Sequence, residues 1–183
     1  MNARPASRGV WRALLLVVVG VLAASAWLGP LGGALPLALL RVPVAARYPD
    51  APSVAPAALA AALARPEPAR PVLLDVRSAA EFAVSHLRGA RRVDAEGAST
   101  AALALPAARP VVVYCAVGLR SAALVARLRA AGHRDARNLE GGLFRWAREG
   151  RPMYRGVAPA QRVHPYDGAW GLFLPRRLRA PRD

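Results

Sequence analysis

The chain has 183 residues, 55% of them hydrophobic and 20% charged, which allows one packed domain with flanking segments and excludes disorder over the whole length. The formal charge of +15 is carried by arginine alone, without lysine, and spreads as +5 over residues 1–70, +6 over 71–153 and +4 over 154–183. No dense basic stripe with interleaved aromatics results, so no nucleic-acid partner is expected. A single cysteine excludes an intrachain disulfide framework and a cysteine-rich metal centre, and no metal or other cofactor is expected.

A basic segment, residues 1–12, holds Arg4, Arg8 and Arg12. An uncharged run follows over residues 13–40, longer than the ~20 apolar residues a spanning helix needs. Trp11 and Trp27 flank its most apolar part, at positions interfacial aromatics favour. Ala24, Ser25 and Ala26 fit a signal-peptide cleavage site, but the apolar run continues past them to Leu40, which favours a retained anchor. The arginines before the run orient the chain as a single-pass protein of a bacterial inner membrane with its domain on the extracytoplasmic side.

Residues 41–52 read as a linker, 53–153 as the domain and 154–183 as an extension rich in arginine and aromatics. Pro56 opens a short alanine–leucine helix to Arg65. Val72 to Val76 is a continuous apolar run suited to a strand buried on both faces. Ser78 and Glu81 have capping-box spacing, and the helix they start is expected to reach Gly89. Ala90 to Val93 reads as a second short strand, and Val111 to Tyr114, after Pro110, as the clearest one. A helix then runs to about Ala131, with Leu124, Val125, Leu128 and Ala131 on one face and Gly132 as its stop. Ala136 to Leu139 is a strand, and Gly142 to Glu149 a closing helix. This alternation predicts an α/β fold, a parallel sheet of about five strands flanked by helices and preceded by one transmembrane helix.

Cys115 falls where the best strand meets the best helix, at the end of a parallel sheet where ligands bind. Inward-pointing N–H groups of that loop, with the helix's positive end, make an anion nest. Gly118 lets the backbone curl and Arg120 adds a fixed charge, so the thiol is placed to ionise and act as a nucleophile. The Cys-x4-Arg spacing is one residue shorter than the Cys-x5-Arg loop of cysteine phosphatases, which argues against phosphoryl transfer.

Several segments occur together in order: Leu73 to Arg77, Glu81-Phe82, His86-Leu87 with Gly89-Ala90, Val112 to Cys115, Gly118 to Ser121, and Asn138 to Gly142 with Trp146. In these the chain resembles the rhodanese-like sulfurtransferases over residues 53–153. The resemblance implies a persulfide on Cys115, with Ala116, Val117, Gly118, Leu119, Arg120 and Ser121 binding the substrate. It also implies that Arg120 favours anionic donors, although Ala116 and Val117 leave the loop less basic than in dedicated thiosulfate-using members. The implied partners are a small sulfur-containing anion or persulfide donor and a thiol or cyanide acceptor. A noncatalytic membrane-anchored module that senses an anion or binds a partner is the alternative. Asp75 and Arg77 read as an ion pair that fixes the turn, with support of the active loop as the alternative, and His86 reads as a structural histidine rather than a base. The extension, with Tyr166, Trp170, Leu172, Phe173, Arg176, Arg177 and Arg179, either lies on a membrane surface or packs back on the domain.

Overall fold

The computed structural model describes residues 37–94, 99–106, 109–167 and 169–181. Five short parallel strands form the sheet: β1 (Ser53–Val54), β2 (Val72–Asp75), β3 (Arg91–Arg92), β4 (Val111–Tyr114) and β5 (Ala136–Leu139), in spatial order β1-β5-β4-β2-β3. All four pairings are parallel, and the strand order puts β4 at the centre. The helices are α1 (Arg41–Arg47), α2 (Pro56–Leu63), α3 (Ala79–Val84), α4 (Leu119–Ala130) and α5 (Gly142–Arg148).

Strand alternation divides the core in two. Leu73, Val112 and Tyr114 point to one face, where Leu59 of α2 and Leu143, Phe144 and Trp146 of α5 cover them. Leu74, Val111 and Val113 point to the other, against Ala122, Leu124, Val125 and Leu128 of α4. Because both faces are covered, the central strand is apolar throughout, and all four β4 residues are buried.

Several expectations shift. The helix opened by Ser78 has both halves of its capping box but ends at Val84, well before Gly89. Ser85 is already extended, and His86 exchanges backbone hydrogen bonds with Tyr154 instead of continuing the helix. The helix opened by Pro56 ends at Leu63, before Arg65. Ala131 is the exposed C-cap of α4 and takes no part in its buried face. The stretch read as a linker contains α1, whose Val44 packs with Tyr48 on the domain. A hairpin, β6 (Met153–Arg155) and β7 (Ala158–Ala160), opens the extension.

No helix among the described residues is long and apolar enough to cross a membrane. The expected anchor lies outside the described residues, apart from its last four. Those four, Leu37–Leu40, form a 3-10 helix whose Leu37 is buried on the domain. The basic segment 1–12 also lies outside the described residues.

The extension packs back on the domain. Val163 and Leu174 are fully buried in the cluster that holds Leu139 and Phe144, and Trp170, Phe173 and Leu178 pack against it. Backbone hydrogen bonds from Val163 to Leu178 and from Ala180 to Val163 tie its two ends together.

Candidate active site

Cys115 sits at the carboxyl end of β4, and Gly118 is the left-handed N-cap of α4, with φ +102°. The Gly118 N–H donates to Cys115 Sγ at 3.1 Å. Ala116 and Val117 bury their side chains in the α5-side cluster, so the loop is anchored by packing. Its carbonyls are held from the other side: Leu143 N–H donates to Cys115 O and Phe144 N–H to Ala116 O, both at 2.9 Å. Among the described residues, no backbone carbonyl takes up the N–H groups of Ala116, Val117, Leu119, Arg120 or Ser121. The first two loop carbonyls thus face the first turn of α5, Gly118 O is taken by Asn138, and the Gly118 N–H points at the sulfur.

Gly142 makes that approach feasible. A β-carbon there would stand 2.5 Å from the carbonyl oxygens of Cys115 and Ala116, and its φ is +56°. Gly141 caps α5 and Gly142 opens it; a β-carbon on Gly141 would meet the Arg145 side chain, so the close backbone approach belongs to Gly142.

Asn138, on β5, is the polar keystone behind the loop. Its Nδ2 donates to Gly118 O at 2.9 Å, which fixes its Oδ1 as an acceptor for the Ser121 hydroxyl at 2.7 Å. The same hydroxyl lies 3.4 Å from Cys115 Sγ. Its one proton thus faces two acceptors whenever the sulfur is ionised, and can swing onto the sulfur without moving the backbone. Asn138 is distant in sequence from both residues, and no spacing rule identifies it. The register that sets Val113 opposite it is the missing information.

Arg120 is not a free cation. Its Nη1 and Nη2 donate to the two Glu81 oxygens at 3.0 and 2.8 Å, and the Tyr166 ring lies 4.7 Å from its guanidinium carbon. Burial opposes the Arg120 charge, yet the Glu81 hydrogen bonds and the Cys115 and Glu81 charges hold its pKa above the ordinary value. Burial also opposes the Glu81 charge; hydrogen bonds from Arg120 and the Ser78 N–H, with the Arg120 and Arg77 charges, nonetheless bring its pKa below the usual range. The capping carboxylate of α3 is thereby also the partner of the loop's arginine. Capping-box spacing finds Glu81 in the sequence, but only as a cap.

Asp75 and Arg77 form the expected pair, with Arg77 Nη2 2.7 Å from Asp75 Oδ2 and both side chains fully buried. Arg77 Nη2 also donates to Ser85 O at 2.5 Å, and its guanidinium stands over the Tyr114 ring at 5.8 Å. The pair thus braces the strand end that carries Cys115 without touching the sulfur. Burial, with the Asp75 charge, pushes the Tyr114 phenol well above its ordinary pKa, and its oxygen accepts from Leu87 N–H. His86 stacks on Phe82 at 4.2 Å; its Nδ1 bonds Leu87 O and its Nε2 accepts from Gly156 N–H. Both nitrogens are used structurally, which assigns the Nδ1–H tautomer. Among the described residues no cluster of histidine, cysteine and acidic side chains is arranged to hold a metal.

The sequence profile of the rhodanese-like domain matches residues 55–149. A sulfurtransferase from Allochromatium vinosum is 35% identical over 88 residues, 48% of this chain and 79% of that protein. A probable adenylyltransferase/sulfurtransferase, MoeZ, from Mycobacterium tuberculosis is 35% identical over 82 residues, 44% of this chain. The matched stretch spans only 21% of MoeZ. Among solved structures, a rhodanese-like domain from Anabaena sp. superposes with a TM-score of 0.51 at 30% identity, covering 58% of this chain and 80% of that one.

Proposed function

The chain belongs to the rhodanese-like domain family, and on that premise we propose that it is a sulfurtransferase whose nucleophile is Cys115. The thiolate attacks the outer sulfur of thiosulfate or of another sulfane-sulfur donor, the donor's S–S bond breaks with its electron pair leaving on sulfite or on the donor thiolate, and the outer sulfur stays on Cys115 as a persulfide. A thiol or cyanide then takes it and returns the thiolate. The carrying observation is the Gly118 N–H aimed at Cys115 Sγ from 3.1 Å, at the head of α4. An N–H donor and a helix amino end both favour the anion over the thiol. Ala116 to Ser121 supply the remaining donors for the terminal sulfur, and the Ser121 hydroxyl, 3.4 Å from the sulfur, adds a movable one.

Thiocyanate formation from thiosulfate and cyanide, and sulfide release from a small persulfide with excess thiol, test the reading. We expect turnover by the full-length chain with at least one donor, abolished in Cys115→Ala. Equal turnover by that variant contradicts the assignment.

A second reading, a noncatalytic anchored module that senses an anion or binds a partner, is favoured by the 1% exposure of Cys115. It expects no turnover with any donor and a partner captured by crosslinking in the membrane.

We also propose that residues 13–40 tether the domain to a bacterial inner membrane, on the extracytoplasmic side. The apolar length of that run supports the tether. A carboxyl-terminal fusion to an enzyme active only outside the cytoplasm tests the side. Activity supports the proposal, and inactivity of a stable fusion opposes it.

A further inference from the structure

Arg120 is the only cationic side chain in the loop from Cys115 to Ser121, and its charge is already matched. Glu81, with its side chain 1% exposed, meets it through two parallel hydrogen bonds at 2.8 and 3.0 Å. The Ser78 N–H holds Glu81 Oε2 at 3.0 Å, so the carboxylate is fixed before any ligand arrives.

One face of the guanidinium is covered by Tyr166, a residue from the carboxyl-terminal extension. Tyr166 has a left-handed backbone, φ +67°, which side chains other than glycine rarely adopt. His164 Nδ1 holds that conformation by accepting the Tyr166 N–H at 3.0 Å, and Asp167 Oδ1 pins the next turn through the Trp170 N–H at 2.9 Å. Tyr166 is 46% exposed, so core packing does not account for a strained tyrosine at this point; contact with Arg120 does.

We propose that Glu81 and Tyr166 are positioning residues that act through Arg120, so that the site prefers alkyl persulfides to thiosulfate. This rests on the sulfurtransferase reading above. With an alkyl persulfide, the Cys115 thiolate attacks the terminal sulfur and a new S–S bond forms on Cys115. The donor's own S–S bond breaks and the departing alkyl thiolate keeps that electron pair. With the protonated persulfide the proton stays on the transferred sulfur, so Cys115 ends as a neutral persulfide and a single negative charge enters and leaves as thiolate. With thiosulfate the thiolate and the dianion bring three negative charges, which end on the Cys115 persulfide anion and the departing sulfite dianion. That step needs an uncompensated cation at the loop, and Glu81 has taken up the one the loop carries. Tyr166 closes a face from which the guanidinium would otherwise reach a second anion.

The test is single-turnover loading of Cys115 in the full-length chain, followed by quenched intact mass, with glutathione persulfide and with thiosulfate at equal concentration. Three proteins are compared: the natural chain, Glu81→Gln, which keeps a cap-competent residue, and Tyr166→Leu, at a half-exposed position. The natural chain is expected to load at least about tenfold faster from the persulfide. Glu81→Gln is expected to speed thiosulfate loading and narrow that ratio by about tenfold, as removing one compensating charge at close range allows. Tyr166→Leu narrows it in the same direction, and remains informative if Glu81→Gln does not fold. Faster loading from thiosulfate in the natural chain, or a ratio unchanged in both variants, overturns the proposal while leaving sulfur transfer intact. Loading from neither donor overturns both.

Discussion

Asn138 holds two groups at once, the Gly118 carbonyl and the Ser121 hydroxyl, so its replacement reaches the site by two routes. Asn138→Ala leaves the Gly118 carbonyl without its partner, at a cost of about 1–3 kcal/mol. Asn138→Asp keeps the shape, removes the donor and brings a negative charge toward the sulfur. A negative charge there repels an anionic donor and the nucleophilic sulfur alike, so Asn138→Asp should load sulfur on Cys115 more slowly than the natural chain, measured by quenched intact mass. Equal loading rates would show that Asn138 has no influence on the sulfur. Arg77 poses a different case, because its partner Asp75 is equally buried. Arg77→Ala strands that carboxylate and should cost about 3–5 kcal/mol in urea unfolding; a loss under 1 kcal/mol would mean water reaches Asp75. Glu81 adds an acid dependence. Its folded pKa lies below the unfolded one, so its stabilisation is present above the ordinary carboxylate pKa and is lost as pH falls through the lowered folded value. Glu81→Gln should therefore flatten the acid limb of stability against pH, measured by thermal unfolding. Cys115, Gly118 and Arg120 were legible because they are contiguous between a strand and a helix. Asn138 and Tyr166 were not, since their roles exist only once β5 and the extension lie beside the loop.

Between elements, the closest contact is the one between the active loop and the start of α5. Gly142→Ala must move two carbonyls that hold the loop and must also place alanine at φ +56°. A destabilisation of about 3 kcal/mol is expected, with impaired loading of Cys115, measured by urea unfolding and intact mass. Unchanged stability would mean the loop retreats freely from α5. The same dependence on context explains which elements the sequence reveals. β2 and β4 announce themselves as short apolar runs because both sheet faces are covered, whereas β5 carries the polar Arg137 and Asn138 between Ala136 and Leu139. β1 is two residues long and exists through its pairing with Asn138 and Leu139, so no local pattern marks it. α3 shows its start through its own capping box, whereas its end is imposed by Tyr154 on a distant hairpin. Local chemistry marks starts and buried runs; long-range pairing decides short strands and stops.

For the whole molecule, the extension is part of the domain. Val163 and Leu174 are fully buried in its core, and a buried aliphatic side chain contributes about 1.5–3 kcal/mol. Removing residues 163–183 should lower the melting temperature markedly and release Arg120 from Tyr166. An unchanged melting temperature would mean the extension only rests on the surface. Its arginines and aromatics alone gave no preference between membrane and domain, because both surfaces accept the same amphipathic residues. At the other end, Leu37 is buried on the domain, so any tether through residues 13–40 would hold the domain close to the bilayer.

The central claim, that Cys115 carries sulfur, is tested most directly by intact mass of the full-length chain after incubation with a sulfane-sulfur donor and removal of small molecules. A gain of one sulfur atom that maps to the Cys115 peptide, is reversed by a thiol and is absent from Cys115→Ser is the predicted result. An unchanged mass with every donor, or the same gain in Cys115→Ser, would contradict it.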